Sequence, residues 1–295
     1  MFNMTFIPIE LFHTRSDGRR TLPLPGALHR PTKQLNLTLV IPTLCEAQNV
    51  ARLLGDLQAT LEPLRIRYEI IVVDDDSSDG TAAVVAAIAR EDSHVRLLVR
   101  KGERGLAGAI LDGWRQSEAE ILGVMDADYQ HPPQLLPDLV AAIRGGSDVA
   151  IASRYVPGGG LGAWSGARRL ASALAVGATW PLQSKARRAR DPMSGFFLVR
   201  RHCLQEVVFQ RTGFKLLLEI LVRGQVGTVT EVPFIFGRRF AGSSKISLRV
   251  AWEYARLLMR LYSGRFDLCK DRAWEPAGLV RRRLTVVSAP ARSGR

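Results

Sequence analysis

A regular alternation of short apolar runs with amphipathic segments, from Leu37 to Ala152, limits the possible folds of this 295-residue chain more than any other feature. Each apolar run has the length of a buried strand, and each amphipathic segment has the period of a helix. The predicted strands are Leu37–Ile41, Glu69–Val73, Val95–Val99, Ile121–Met125 and Asp148–Ala152, and the predicted helices are Glu46–Leu61, Asp79–Arg90, Leu106–Ser117 and Pro132–Arg144. This alternation predicts an α/β fold, with a doubly wound, mostly parallel sheet and helices on both faces.

The alternation stops after Arg154, and the rest of the chain sets the expected domain boundaries. Phe196–Val199 and Val229–Pro233 predict two further strands, and Phe214–Val226 predicts a helix between them. Ile246–Tyr262 alternates large apolar residues with arginines, which predicts a C-terminal amphipathic helix. We therefore expect an irregular N-terminal extension, one α/β domain, the amphipathic helix and a basic, disordered tail, over residues 1–35, 36–245, 246–264 and 265–295.

The charge of the chain narrows the choice of partners. A net charge of +13, from 41 Lys and Arg against 28 Asp and Glu, predicts an anionic partner: nucleic acid, anionic lipid or a phosphorylated substrate. A nucleic-acid-binding protein would interleave basic residues with stacking aromatics, whereas the basic stretch Gly166–Arg190 is poor in aromatics. We therefore expect no nucleic-acid partner. The amphipathic helix either contacts a membrane surface or packs on the domain.

The cysteines and the apolar runs exclude other classes. Cys45, Cys203 and Cys269 are scattered with no C-x-x-C pair, which excludes a disulfide framework or a zinc knuckle and fits a reducing compartment. The longest weakly polar run, Leu170–Leu182, is shorter than the ~20 apolar residues of a membrane span. The N-terminus lacks the pattern of a secretory signal, so we expect a cytoplasmic protein.

Two carboxylates, Asp126 and Asp128, directly follow the predicted fourth strand. In open α/β sheets, ligands bind at the carboxyl ends of the strands. Two hard oxygen ligands at this edge suit Mg²⁺ or Mn²⁺, and such an ion usually shares its coordination with substrate phosphates. An isolated Asp-x-Asp is also compatible with a simple polar loop, so the other strand ends decide the interpretation.

The first three predicted strands also end in polar or flexible residues. Pro42-Thr43 leads to Glu46, four aspartates lie within Asp74–Asp79, and Arg100–Ala109 is rich in glycine. Backbone N–H groups at a helix start favour phosphate. The glycine-rich segment lacks the G-x-G-x-x-G pattern and follows the third strand, which argues against a dinucleotide-binding dehydrogenase. Together the strand ends predict a nucleotide-diphosphate site with a metal ion.

Seven short motifs follow one another along the chain. They are Pro42-Thr43 with Glu46, Asp74-Asp75 through Thr81, Gly105-Leu106, Asp126-Ala127-Asp128 with Gln130, Ser153-Arg154-Tyr155, Asp191 through Phe196, and Gly242 through Lys245. In this order and spacing they resemble the motifs of the family-2 glycosyltransferases with the GT-A fold, and within them the dolichol- or polyprenol-phosphate mannosyltransferases. One such motif is weak, but the ordered set is specific, and it extends past the nucleotide half into the acceptor half. The chain departs from the family pattern at Leu44-Cys45 and at Ala107, which leaves the base of the nucleotide open.

The resemblance implies roles for individual residues. The nucleotide sugar would be bound by Pro42, Thr43, Glu46, Asp74, Asp75, Lys101 and Gly105. The metal ion, Mg²⁺ or Mn²⁺, would be bound by Asp126, Asp128 and Gln130. The acceptor phosphate would be surrounded by Arg154, Arg168 or Arg169, Ser194, Arg238 or Arg239, and Lys245. The catalytic group would comprise Asp126, Asp128 and Arg154.

The resemblance also implies a reaction. A hexose, foremost mannose from GDP-mannose, would pass to polyprenyl or dolichyl phosphate by a single inverting displacement. UDP-glucose as the donor, or another family-2 reaction, is the alternative that the sequence leaves open. The ionised acceptor phosphate needs no strong general base, and the metal ion would stabilise the leaving diphosphate. The enzyme would meet its lipid at the cytoplasmic face of a membrane, through the 246–264 helix, the basic tail or a separate membrane-anchoring subunit.

Overall fold

The structure of the protein is a computed structural model that describes residues 36–183, 188–205, 207–209, 211, 213, 215–237, 248–263 and 284–287. For residues 248–250 and 284–287 it describes the backbone alone. The predicted N-terminal extension over residues 1–35 lies outside the described residues. The predicted domain ends at residues 36 and 245 stay predictions.

The described strands form one mixed sheet. They are β1 Asn36–Thr43, β2 Arg67–Asp74, β3 Val95–Arg100, β4 Ile121–Val124, β5 Val149–Ser153, β6 Phe197–Arg200, β7 Val229–Pro233 and β8 Leu284–Val287. Their order in the sheet is β7-β5-β6-β4-β1-β2-β3-β8. The pairs β1–β2, β1–β4, β2–β3 and β5–β7 are parallel, which confirms the predicted parallel framework. The sequence did not predict that β6 inserts antiparallel between β4 and β5.

Helices cover both faces of the sheet, as predicted. The described α-helices are α1 Ala47–Leu61, α2 Thr81–Glu91, α3 Leu106–Arg115, α4 Leu136–Arg144, α5 Gly166–Gly177, α6 Leu216–Arg223 and α7 Leu248–Ser263. Successive side chains of a strand point to opposite faces, so Leu39 and Ile41 join the core under α1, α2 and α4, whereas Val40 joins the core under α3 and α6. The strands are apolar on both sides because both sides are covered.

In the C-terminal part of the chain, one element has the structure that the sequence predicted and another does not. The predicted amphipathic helix is present as α7, whose Leu257 and Leu261 pack against Leu218 of α6. Within the tail that we expected to be disordered, the run Leu284–Val287 forms a strand that pairs with β3 and covers one edge of the sheet. The remaining tail residues lie outside the described part. None of the described helices is both long and apolar enough to cross a membrane.

The strand order creates a crevice at one edge of the sheet. From β1 the chain proceeds outward to β2 and β3 on one side, whereas β4 lies on the other side of β1. Parallel strands on both sides of such a reversal leave a crevice outside their carboxyl ends, and this is where open α/β sheets bind ligands. The loops after β1, β2 and β4 therefore border the expected site.

Candidate functional site

The loops after β1 and β2 are tied to each other. Three backbone N–H groups of the first loop donate to side-chain oxygens of the second at 2.8, 3.0 and 3.0 Å: Cys45 to Ser77, Glu46 to Thr81, and Ala47 to Asp79. The two loops therefore form a single wall at the carboxyl edge of the sheet. Pro42, Thr43 and Glu46 of the predicted nucleotide site belong to this wall.

Asp74 and Asp75, which we predicted to bind the nucleotide sugar, are buried and hydrogen-bonded within the protein. Asp74 accepts hydrogen bonds from the hydroxyl of Thr43, at the end of β1, at 3.0 Å and from that of Ser77, in the loop after β2, at 2.6 Å. Asp75 accepts from Nε of Arg100 at 2.7 Å and from the N–H of Gly105 at 2.8 Å. Both carboxylates shape the wall of the crevice, and their contact with a nucleotide stays a prediction.

A buried cluster of charges fixes the glycine-rich segment after β3. Arg100 donates to Asp112 of α3 at 3.3 Å and to the carbonyl of Gly105 at 3.1 Å. Arg211 makes paired hydrogen bonds to Asp112 at 2.7 and 2.6 Å. Burial opposes ionisation of Asp112, but Arg211 and Arg100 hold its pKa below the usual range. Gly105, in the left-handed region at φ +138°, is thereby fixed, whereas Lys101 is exposed.

The three predicted metal ligands lie in one turn after β4. Asp126 keeps 34% of its side chain exposed, whereas Asp128 is buried. Oδ1 of Asp128 accepts from the N–H of Gln130 at 3.1 Å, and the Gln130 amide nitrogen donates to the carbonyl of Gly237 at 3.4 Å, which orients the amide oxygen. Gly195 packs so closely on Asp126 that a Cβ at this position would collide with the carboxylate. Two carboxylates and an amide form an all-oxygen donor set, which suits Mg²⁺ or Mn²⁺.

A pocket of about 220 Å³ opens beside Asp126. Three cationic side chains, Arg154, Arg168 and Lys215, contribute to its lining together with the aromatic ring of Trp164. A site with this surplus of positive charge attracts an anionic ligand. The pocket therefore fits the predicted second anion, the acceptor phosphate.

Arg154 is held in place by a buried carboxylate. Its Nε and Nη2 each donate to one oxygen of Asp191 at 2.7 Å, and its backbone N–H donates to the same carboxylate at 3.0 Å. The backbone N–H of Asp191 in turn donates to Glu231 of β7 at 2.9 Å. Burial opposes the charge of Arg154, but Asp191 raises the pKa of its guanidinium. Arg154 is thus a fixed positive charge on the pocket wall.

Two pocket residues, the buried His131 and the half-buried Lys215, were given no role by the sequence analysis. Burial and the nearby charge of Arg154 lower the pKa of Lys215, while Asp126 and Asp191 oppose this shift. Burial lowers the pKa of His131 to about 3, so the imidazole is neutral at physiological pH. Its Nδ1 lies 3.8 Å from Oδ2 of Asp126. In the sequence, Lys215 could have been noticed only as a single cation at the start of an apolar helix.

Some of the residues predicted to surround the acceptor phosphate line the pocket, and others have a different position. Arg168 lines the pocket, with its guanidinium carbon 4.1 Å from the centre of the Trp164 ring. Arg169 is exposed and donates to two loop carbonyls at 3.1 and 2.9 Å, so it supports the loop and does not line the pocket. Ser194 is buried, and its hydroxyl hydrogen-bonds within its own turn at 3.2–3.3 Å. Outside the described residues lie Arg238, Arg239 and Lys245.

Asp76 and Asp191 are two further carboxylates that sequence reasoning did not single out. Asp76 is exposed in the loop after β2, with its backbone in the left-handed region at φ +59°. Asp191 is fully buried and positions Arg154. The run of four aspartates after β2 and the Asp191 motif were visible in the sequence. Which of these carboxylates is buried depends on contacts with distant segments.

The arrangement can hold two anions next to each other. An oxygen-rich turn, suited to a cation that bridges a diphosphate, borders a cationic pocket suited to a second phosphate. Asp126 belongs to both. Enzymes that transfer a group between two bound anions need mainly this positioning and charge stabilisation.

Comparison with known proteins identifies the family by sequence. Residues 38–208 match the model of Glycosyl transferase family 2. The dolichol-phosphate mannosyltransferase of Pyrococcus furiosus is 39% identical over 235 residues, which cover 79% of this chain and 66% of that protein. The dolichol-phosphate mannosyltransferase of Saccharomyces cerevisiae is 35% identical over 242 residues, which cover 79% of this chain and 89% of that protein. The chain thus spans just under two thirds of the archaeal relative and most of the yeast one.

Comparison of structures agrees on the fold. Glucosyl-3-phosphoglycerate synthase from Mycobacterium tuberculosis, solved with Mn²⁺, UDP-glucose and phosphoglyceric acid, matches with a TM-score of 0.56 and 18% identity, over 83% of this chain and 88% of that one. The predicted GT-A fold is confirmed. The chain belongs to glycosyl transferase family 2, the family that its strand-end motifs resemble, and it is a glycosyltransferase.

Proposed function

We propose that the protein transfers mannose from GDP-mannose to a polyprenyl phosphate such as dolichyl phosphate, with inversion at the anomeric carbon. The observation that carries the proposal is the cationic pocket of Arg154, Arg168 and Lys215 beside Asp126. Two relatives named dolichol-phosphate mannosyltransferase support both the sugar and the class of acceptor. The proposal assigns the nucleotide to the crevice after β1 and β2, and the acceptor phosphate to the pocket.

A divalent cation, Mg²⁺ or Mn²⁺, belongs to this proposal. Asp126, Asp128 and Gln130 would hold it, and when bound it would neutralise the charge that develops on the leaving diphosphate. The all-oxygen donor set supports the choice of a hard cation. The Mn²⁺ in the mycobacterial glucosyl-3-phosphoglycerate synthase, bound together with UDP-glucose, supports it as well.

The side chains of the pocket act by position and charge. An oxygen of the acceptor phosphate forms a bond to the anomeric carbon, while the bond from that carbon to the diphosphate oxygen breaks. The phosphate is already ionised near neutral pH, so no side chain has to remove a proton. Arg154, fixed by Asp191, and Lys215 reduce the repulsion between the two anionic substrates. Both side chains are partly buried, and partial exclusion of bulk water strengthens this effect.

A lipid acceptor would explain why the surface around α5 and α7 is apolar. The two helices are joined by hydrogen bonds from Tyr254 to the carbonyl of Ala175 at 2.6 Å and from Tyr262 to that of Ala178 at 2.7 Å. The exposed large apolar side chains on and near these helices are Leu170, Leu174, Trp180, Trp252, Met259 and Tyr262. We propose that this surface, with its arginines, rests on an anionic membrane. The free thiols of Cys45 and Cys203 agree with a reducing compartment, and therefore with a cytoplasmic face.

A donor and acceptor screen tests the proposed reaction directly. The full chain is incubated with a short-chain polyprenyl phosphate, Mg²⁺ or Mn²⁺, and GDP-mannose, UDP-glucose or other sugar nucleotides in turn. We expect a mannosyl lipid with GDP-mannose, and a β-linkage in its NMR spectrum. A product formed with UDP-glucose alone would show that UDP-glucose, and not GDP-mannose, is the donor. An α-linkage would reject the inverting displacement.

Asp128→Asn should abolish most of the metal-dependent turnover, because one of two anionic metal ligands is lost. We expect kcat to fall by about 10²–10³-fold, the range seen when one stabilising group of a transition state is removed. Turnover is measured as mannosyl lipid formed over a range of Mg²⁺ and Mn²⁺ concentrations. Asp138→Asn, at an exposed position of α4, is the matched control and should retain activity. Full activity of Asp128→Asn would reject the metal site.

Arg168→Ala and Arg169→Ala form a matched pair on α5, because only Arg168 lines the pocket. Loss of a charged hydrogen-bond partner costs about 1.5–3 kcal/mol, so Arg168→Ala should raise the KM for polyprenyl phosphate about 10–100-fold. The KM for GDP-mannose should stay nearly constant. Arg169→Ala should have a smaller effect on the acceptor KM. Equal effects of the two substitutions on the acceptor KM would reject the assignment of the pocket.

Leu174→Glu should weaken binding to vesicles of phosphatidylcholine and phosphatidylserine, because this side chain is 67% exposed on the proposed membrane surface. Burial of a leucine contributes about 1.5–3 kcal/mol, so the partition coefficient in a sedimentation assay should fall at least about tenfold. Leu44→Glu, at an apolar position that is 46% exposed in the loop after β1, is the matched control. Equal binding by both variants would reject this surface and favour a separate anchoring subunit.

A further inference from the structure

A cluster of three potential metal ligands lies at the edge of the sheet opposite to the candidate site. Asp148 directly precedes β5, and His202 and Cys203 lie in the short turn Arg201–Leu204 that follows β6. Because β6 is antiparallel to β5, its end reaches the edge where β5 begins. The whole length of β5, about 16 Å at ~3.3 Å per residue, separates this cluster from Arg154. Any ligand bound here is therefore distinct from the proposed substrates.

The three donor atoms converge on one point. Nε2 of His202 lies 3.3 Å from Oδ1 of Asp148 and 3.5 Å from Sγ of Cys203. All three atoms lie within 4.8 Å of one another. In a tetrahedral zinc site, bonds of about 2.0–2.3 Å put neighbouring ligand atoms about 3.3–3.6 Å apart. The two measured separations agree with this spacing.

The same distances argue against a nucleophilic triad. In such a triad the imidazole uses one nitrogen for the nucleophile and the other for the carboxylate. Here Nε2 of His202 faces both the thiol of Cys203 and the carboxylate of Asp148. Donors that surround one point, without forming a chain, are the arrangement of a cation site.

Surrounding backbone groups orient the carboxylate of Asp148. Its Oδ2 accepts hydrogen bonds from the N–H groups of Gly227 and Thr228 at 2.7 and 2.9 Å, which leaves Oδ1 on the side of His202. Hydrogen bonds of this kind position the ligands of metal sites. They also connect the cluster to the loop that leads into β7, so the cluster joins the beginnings of β5 and β7 to the end of β6.

We propose that Asp148, His202 and Cys203 bind a thiophilic divalent cation of the Zn²⁺ class, with water in the fourth position. The mixed sulfur, nitrogen and oxygen set favours such a cation over Mg²⁺. A cysteine binds such a cation as the thiolate, so binding removes a proton from the thiol. On binding, the bond from sulfur to the cation replaces the S–H bond, and the proton passes to solvent. The cation would cross-link the beginning of β5 to the end of β6, and the hydrogen bonds of Asp148 would extend this link to the loop before β7.

Titration with Co²⁺, a spectroscopic substitute for Zn²⁺, tests the proposal. The full chain carrying Asp128→Asn is used, so that binding at the Asp-x-Asp turn is weakened. We expect an intense thiolate-to-cobalt absorption band at one equivalent of Co²⁺, displaced by Zn²⁺, with release of a proton. No thiolate band in the folded protein would overturn the proposal.

Two substitutions and one control assign the band to the cluster. Cys203→Ala should remove the band, and His202→Gln should weaken Co²⁺ binding by at least about tenfold. Loss of a residue that only hydrogen-bonds to a metal ligand already lowers metal affinity by about 10–100-fold, and loss of a direct ligand should cost at least as much. His202 is half exposed, so this variant keeps the test valid if Cys203→Ala does not fold. Cys45→Ala, at the exposed free thiol, should leave the band unchanged. A band that persists in Cys203→Ala, or is lost in Cys45→Ala, would reject the site.

Discussion

The site depends on one constraint, the parallel pairing of β1 with β2 on one side and with β4 on the other. The register joins Thr43 to Asp74 at the end of the first pair and Val40 to Val124 at the end of the second. All three strands therefore finish at one edge, and the sheet holds their backbones in place. Carboxylates that are separated by about fifty residues in the sequence, such as Asp75 and Asp126, reach a common crevice without any local signal that brings them together.

Buried pairs of opposite charge then fix the loops that the strands present. Arg154 with Asp191, and Arg100 with Asp75 and Asp112, keep their partners within hydrogen-bond distance in the protein interior. Removal of one partner from such a pair costs about 3–5 kcal/mol, because an uncompensated charge is left buried. Such pairs add little net stability to the fold, but they hold the loops in a defined geometry. A reaction that relies on positioning gains from loops with a single arrangement.

The sequence predicted the features that depend on local pattern. Hydrophobic periodicity identified the strands and helices of the α/β framework, and the residues after β4 identified the oxygen-rich turn. The antiparallel insertion of β6 between β4 and β5 was not predictable, because strand order depends on pairing between distant segments. For the same reason the sequence could not predict which of the aspartates after β2 are buried. Contacts with Arg100 and Gly105 bury Asp75, while Asp76 stays exposed. Lys215 was missed because an isolated cation in an apolar helix carries no spacing signal.

Helix α5 links the two halves of the proposed reaction. Arg168 and Ser172, one turn apart, line the pocket, whereas Leu170 and Leu174, also one turn apart, are exposed beside it. A polyprenyl phosphate has the same division, with an anionic head and an apolar chain. A helix with a cationic face toward the pocket and an apolar face toward the surface can hold the head while the chain remains in the bilayer. In the proposed reaction the acceptor would then not have to leave the membrane, and the cost of exposing its chain to water would be avoided.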